Sequence, residues 1–296
     1  MFFIPVIAAI GASLGWATGI VLAQTPACKL GAFEFTRIQL VACSAIVTAL
    51  CSALGYWQSV IWSQWPLYVI SICIGIVLGN LAMIECLRFG GPRRTELLLS
   101  LKAPIVGLFA YFWLGETLSL LDIIGIAVIL TGVCLAIVYG NEDAESNVTF
   151  RDNAGRVLLL GFSAATFQGL GFLVMKPALL SGAEPLAVAS IRLLGAAFLI
   201  SIVALWPLQA FRAKVEMTPV LLMQTILPGF IGYVVSSSLM LYAYANLEAG
   251  IAAVLGSLSP VLVLVIIGLK ERKAPNPYAA TGAIVAVLGV SVLIMF

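Results

Sequence analysis

Apolar residues run in long stretches along this chain, and polar or turn-forming residues interrupt them only at wide intervals. Ten stretches are legible, at about 3–23, 33–55, 66–87, 93–113, 118–139, 154–175, 185–206, 219–244, 249–269 and 275–296. Each is close to the ~20 residues an α-helix needs to cross the hydrocarbon core of a bilayer. The pattern therefore predicts an all-α integral membrane protein of ten transmembrane helices. The longest polar segment, GNEDAESNVTFRDN at 140–153, falls near the middle. It predicts a joint at 141–153 between a first unit, 1–140 with spans 1–5, and a second, 154–296 with spans 6–10.

The two units answer each other at an offset of about 150–157 residues. Gly11, Gly15 and Gly19 in span 1 meet Gly161, Ala165 and Gly169 in span 6, and Ser13 meets Ser163. Small residues four apart make a smooth helix stripe that lets another backbone approach closely. Arg37 meets Arg192, each early in its span, and Pro66 and Pro219 each open a span, where a missing N–H costs little. Pro104 is followed twelve residues later by Glu116, and Pro260 eleven later by Glu271; Gly125 and Gly132 are seven apart, as are Gly282 and Gly289. Five spans per unit is an odd number, so the second unit crosses the membrane in the opposite sense. Such inverted repeats place a cavity near the midplane, and rocking of one unit against the other gives alternating access.

Composition agrees with lipid as the solvent. Hydrophobic residues make up 62% and charged residues 9%, with a mean hydropathy of +1.14, against roughly 25% charged in soluble domains. The net charge of +2 is too small to argue for nucleic acid. The charges are nevertheless unevenly placed. Loops after odd-numbered spans, with their flanking turns, hold twelve of the fifteen Lys and Arg residues; loops after even-numbered spans hold only Lys176 and Arg192, and Lys102 lies inside span 4. Basic loops stay in the cytoplasm, which puts both termini outside. The start of the chain lacks a basic stretch before its apolar run and is expected to be a first span rather than a cleaved signal. There is no histidine, and the six cysteines are scattered without a C-x-x-C pair, which suits packing better than a disulfide or a metal.

These features resemble the drug/metabolite transporter superfamily, in particular its ten-helix EamA-type members. The resemblance is carried by Arg37 and Arg192, Pro104 and Pro260, Gly115-Glu116 with Gly125 and Gly132, and Glu271 with Gly282 and Gly289. It covers the whole chain as two copies. It implies secondary transport, often export of amino acids or related metabolites, through a central cavity lined by spans 1–4 and 6–9. Spans 5 and 10 then support the fold, and in some members they dimerise, so a homodimer is admitted. A bacterial inner membrane is the expected location. The chain departs from the family in its charges: members commonly keep their termini in the cytoplasm and have a basic loop after span 2. Here that loop, Tyr56 to Trp65, is uncharged, and the loop after span 7 carries Arg212 and Lys214. The charge distribution is followed here, because an inverted repeat folds in either sense.

Ionisable residues inside spans are costly and are functional candidates by default. Lys102 is the deepest, two residues before Pro104, which cannot donate to the Ser100 carbonyl. It is the leading candidate for a substrate carboxylate; a structural pair with a glutamate, or snorkelling, is the alternative. Glu85 and Glu96 are candidates for a coupling proton or a substrate amine, against simple ion pairs with Arg88, Arg93 or Arg94. Arg192 offers a carboxylate fork, although its counterpart Arg37 favours a structural role for both; Glu184 is a candidate partner. Glu116 and Glu271 are expected to be structural. Asn80, Gln168, Ser237, Tyr242 and Trp16 are expected around Lys102, with Thr18, Thr166, Tyr233, Tyr244, Ser236 and Ser238 as further polar groups near the midplane. An aromatic floor with amides and hydroxyls suits a small, partly apolar zwitterion. Sugar phosphates or nucleotide sugars are the rival cargo, and would bring Lys102, Arg192 and Arg94 into one cavity. A protein of structural or lipid-handling role would instead pair its polar residues among themselves. No catalytic motif, nucleotide loop or metal-ligand spacing is present, so a transporter driven by gradients, with no cofactor and no enzymatic activity, is expected.

Overall fold

The computed structural model describes residues 3–116, 119–138, 144–206 and 215–271, together with short helical pieces at 277–278, 281–282, 284–286 and 288–289. Every regular element among these residues is helical. In chain order they are α1 (Phe3–Leu30), α2 (Ala32–Leu54), α3 (Trp65–Ile70), α4 (Gly79–Ser100), α5 (Lys102–Leu114), α6 (Leu120–Val138), α7 (Ala144–Leu173), α8 (Lys176–Leu180), α9 (Pro185–Ala204), α10 (Pro219–Gly229), α11 (Ser237–Asn246), α12 (Ala249–Gly256) and α13 (Ser259–Glu271). Two π-helical segments, Ser71–Leu78 and Phe230–Ser236, join α3 to α4 and α10 to α11 without a loop. Seven of the resulting continuous stretches are long and apolar enough to cross a membrane. Large apolar side chains such as Phe112, Phe198 and Leu205 remain exposed, which fits lipid rather than water as the surrounding medium. The protein is an integral membrane protein.

Helix ends are set by familiar local chemistry. Pro66, Pro185 and Pro219 stand in the first turns of α3, α9 and α10, and the Thr218 hydroxyl caps α10 by accepting from the Leu221 N–H at 3.2 Å. One stretch, Trp62–Leu114, is helical for 53 residues, about 80 Å at 1.5 Å per residue and far more than the ~30 Å core of a bilayer. It folds back at Gly91, whose φ of 75° and ψ of 172° lie outside the helical region; only glycine adopts such a conformation cheaply. The reversal is visible in what α7 touches. Gly171, Gln168 and Val157 meet Gly75, Gly79 and Cys86, an antiparallel order, whereas Gly161 and Gly169 meet Leu98 and Lys102, a parallel one.

Other helix pairs run antiparallel as well. Along α1, Gly19, Gly15 and Gly11 face Pro228, Ser236 and Leu239 in turn. From α4 into the end of α5, Glu96, Ser100 and Glu116 meet Ser259, Ser257 and Ala249. On α6, Gly132 packs on Gly282 and Ala286, and Ile129 on Gly289. The small-residue stripes thus serve contacts within the chain.

Two helices run beyond the bounds expected of their spans. α1 continues past residue 23 to Leu30 with Pro26 inside it, because hydropathy marks where lipid ends, not where backbone hydrogen bonding ends. For the same reason α7 begins at Ala144, inside the expected joint, and turns at Asn153, whose φ of −124° breaks the helix there. The tenth expected span falls largely outside the described residues, apart from short pieces that include Gly282 and Gly289.

Candidate functional site

Where the helices cross, a cavity of about 90 Å³ remains, room for roughly half a dozen waters at ~15 Å³ each. Its walls come from α1, α2, α4, α5, α7, α9, α10, α11, α13 and both π segments. In terms of the apolar stretches these are spans 1–4 and 6–9; α6 lends no residue.

The polar groups arrive by two kinds of helix irregularity. The first is a break before each mid-span proline. The chain turns at Leu101 between α4 and α5, ahead of Pro104, and at Ser257-Leu258 between α12 and α13, ahead of Pro260. The two breaks touch. The Ser257 hydroxyl donates to the Ser100 carbonyl at 3.4 Å, answering the acceptor that Pro104 leaves without its helical partner. One turn away, the Ser259 hydroxyl donates to Glu96 Oε2. Lys102 emerges from the first break, donates to Gln168 Oε1 at 3.3 Å and lies 4.9 Å from the centre of a Trp16 ring. Glu96, only 3% exposed, is within electrostatic reach of Lys102.

The second irregularity is the π helix, which is frequent at functional sites because an inserted residue rotates the side chains that follow it. The first π segment carries Gly75, which packs directly on Gly171, and leads into Asn80. Asn80 Oδ1 accepts from Gln168 Nε2 at 2.9 Å. The second carries Gly232, whose carbonyl accepts from Trp16 Nε1 at 3.3 Å, and Tyr233. A row of rings crosses the cavity: Trp16 meets Phe172 edge-on at 5.8 Å, and Phe172 stacks on Tyr244 at 5.8 Å. Arg192 lies at the far end, 4.6 Å from the Phe172 ring centre.

Of the residues singled out in the sequence, Lys102, Asn80, Gln168, Ser237, Trp16, Arg192 and Glu96 all line this cavity. Tyr242 does not; it lies one turn beyond Ser238, where its carbonyl accepts from Asn246, and Tyr244 joins the ring row instead. Glu85 also lies elsewhere, held at 2.6 Å by both Arg88 and Arg156, the simple ion-pair alternative. Arg192 is not paired with Glu184, whose backbone N–H instead donates to Ser59. Nor does it share a role with Arg37, which pairs with Glu34 at 2.6 Å at the edge of the bundle. Thr18 and Thr166 turn back onto their own helices. Glu116 holds Lys176 and the Ala249 N–H, as a structural residue should. Phe172, Ser71 and Ser259 were not foreseen. Ser71 had a legible signal, since Ser71, Gly75 and Gly79 form a small-residue stripe at helical spacing; Phe172 had none.

A lipid-embedded helical bundle that keeps buried charges around an internal cavity has the make-up of a membrane transporter. The chain belongs to the EamA-like transporter family, whose model matches residues 3–138 and again 155–295. It is 26% identical over 121 residues, 40% of this chain and 86% of the relative, to an "Uncharacterized transporter in cobO 3'region" of Sinorhizobium sp.. One solved crystal structure shares the fold with a TM-score of 0.75 at 18% identity, covering 98% of this chain and 96% of the other.

Proposed function

We propose that this protein carries a small amino-acid-like solute across the membrane by alternating access, through a cavity between two inverted five-helix units, 1–140 and 154–296. The observation that carries the reading is the cavity itself, where Lys102 and Glu96, charges of opposite sign, lie beside amides and aromatic rings contributed by both units. The inversion is supported by paired irregularities: π segments at Ser71–Leu78 and Phe230–Ser236, and breaks ahead of Pro104 and Pro260 that touch each other. The antiparallel order of the contacts, and a family match that repeats in each unit, point the same way.

A polyanionic cargo is less well served. Arg94 does not line the cavity and the carboxylate of Glu96 does. A purely structural role is disfavoured because the polar groups leave space between them. Glu96, rather than Glu85, is then the residue to meet a solute ammonium or a coupling proton.

In this reading both termini lie outside. The two basic residues counted against this orientation, Lys176 and Arg192, are 5% and 2% exposed, so neither anchors a loop in the manner of the positive-inside rule. The Sinorhizobium relative supports a bacterial inner membrane. A protease added to intact spheroplasts should remove a tag from either end; protection of both tags would reverse the assignment.

Counterflow in proteoliposomes with radiolabelled amino acids tests the main reading. Uptake should be saturable, and Lys102→Ala should lower it by about ten- to a hundredfold, the usual worth of a charge-assisted hydrogen bond. No uptake of any amino acid would overturn the substrate class, and wild-type rates for Lys102→Ala would remove Lys102 from the site.

A further inference from the structure

Arg192 is the least satisfied charge in the cavity. It is 2% exposed, yet no ion pair joins it to a carboxylate among the described residues. The carboxylates nearest in kind are engaged elsewhere: Glu34 with Arg37, Glu85 with Arg88 and Arg156, Glu116 with Lys176. Glu96 accepts from the Ser259 hydroxyl. Lys102 and Glu96 offset each other, so Arg192 leaves the cavity with one positive charge in excess. An unmatched buried charge is costly to a fold and persists where something other than the protein completes it.

The side chain is also held as a binding group is held. Its Nε donates to the Ser71 hydroxyl at 2.8 Å, and Ser71 in turn donates to the Gly171 carbonyl at 2.5 Å. Phe172 lies 4.6 Å from the guanidinium carbon. Ring and hydroxyl together fix the group, which leaves the Nη end free to turn to the cavity. Nη1 is buried without a hydrogen-bond partner among the described residues, in a side chain that lines the cavity. A guanidinium presented end-on meets a carboxylate with two parallel N–H donors.

We infer that Arg192 binds the carboxylate of the transported solute and that Ser71 is its positioning residue. This deepens the reading above and rests on it: Lys102 is left to Gln168, and Arg192 becomes the anion subsite.

The test uses the full chain in proteoliposomes with a tritiated amino-acid mixture, challenged with 3-phenylpropionate or phenethylamine, which are L-phenylalanine lacking its ammonium and its carboxylate respectively. The carboxylate should compete and the amine should not. Arg192→Gln should lower counterflow about ten- to a hundredfold and abolish the difference between the two competitors. Arg192→Lys should restore part of it. Ser71→Ala should narrow that difference while Ser71→Thr keeps it, which a merely structural serine would not do. Because Arg192→Gln strands no carboxylate among the described residues, it should melt no lower than wild type in detergent; a lower melting temperature assigns Arg192 to the fold and overturns the inference, as does equal competition by the amine. If no amino acid moves at all, the broader reading fails, and the inference is decided by melting curves with 3-phenylpropionate. A shift in wild type that Arg192→Gln lacks supports it, and no shift, or the same shift in both, ends it.

Discussion

Lys176 enters the bundle at the start of α8 and is 5% exposed. Its ammonium donates to Glu116 and, at 2.8 Å, to the Leu247 carbonyl, while the other oxygen of Glu116 caps α12 through the Ala249 N–H at 2.7 Å. Removing one member of such a pair strands the other, which costs about 3–5 kcal/mol in comparable sites. Lys176→Met should therefore lower the melting temperature in detergent sharply, and Lys176→Met with Glu116→Gln should recover part of the loss. A single mutant that melts like wild type would show that the pair contributes nothing. At this scale the sequence was legible where a charge sat deep in an apolar stretch. Lys102 and Arg192 announced themselves in that way. Glu85 and Glu96 did not separate, because both lie near the same turn and only the fold-back at Gly91 decides which one faces inward. Tyr242 and Tyr244 are two residues apart, and a helix sends such neighbours to different faces; choosing between them needs the phase of the helix, which a π segment just upstream has shifted.

Among elements, the crossing of the first π segment with α7 is the closest in the site. A Cβ on Gly75 would stand 2.6 Å from the Gly171 Cα, a backbone atom that cannot swing away. Gly75→Ala should force the helices apart, at a cost in the range of about 1–3 kcal/mol or more typical of overpacking, and should impair transport. Gly107, inside α5, has no atom within 4 Å of where its Cβ would lie. Gly107→Ala should leave transport intact and raise stability by up to ~1 kcal/mol from helix propensity. Equal melting temperatures for the two variants would contradict this account. The helices themselves were visible as runs of apolar residues, and the breaks as Pro104 and Pro260. The π segments were invisible, because SICIGIVL and FIGYVVS have the composition of ordinary membrane helix; their widened turns come from packing against α7 and α1, not from local preference.

For the whole molecule, the family match falls on 3–138 and again on 155–295, either side of the polar stretch at 140–153. What could not be read was how the small residues would be spent. Gly132 and Gly289, which leave room for another helix, are occupied by one another's segments within the chain. The touching breaks carry one more consequence. Ser100 comes from one side of this contact and Ser257 from the other, and the cavity beside it is lined by residues 16–102 and 168–259 together, so neither stretch encloses it alone.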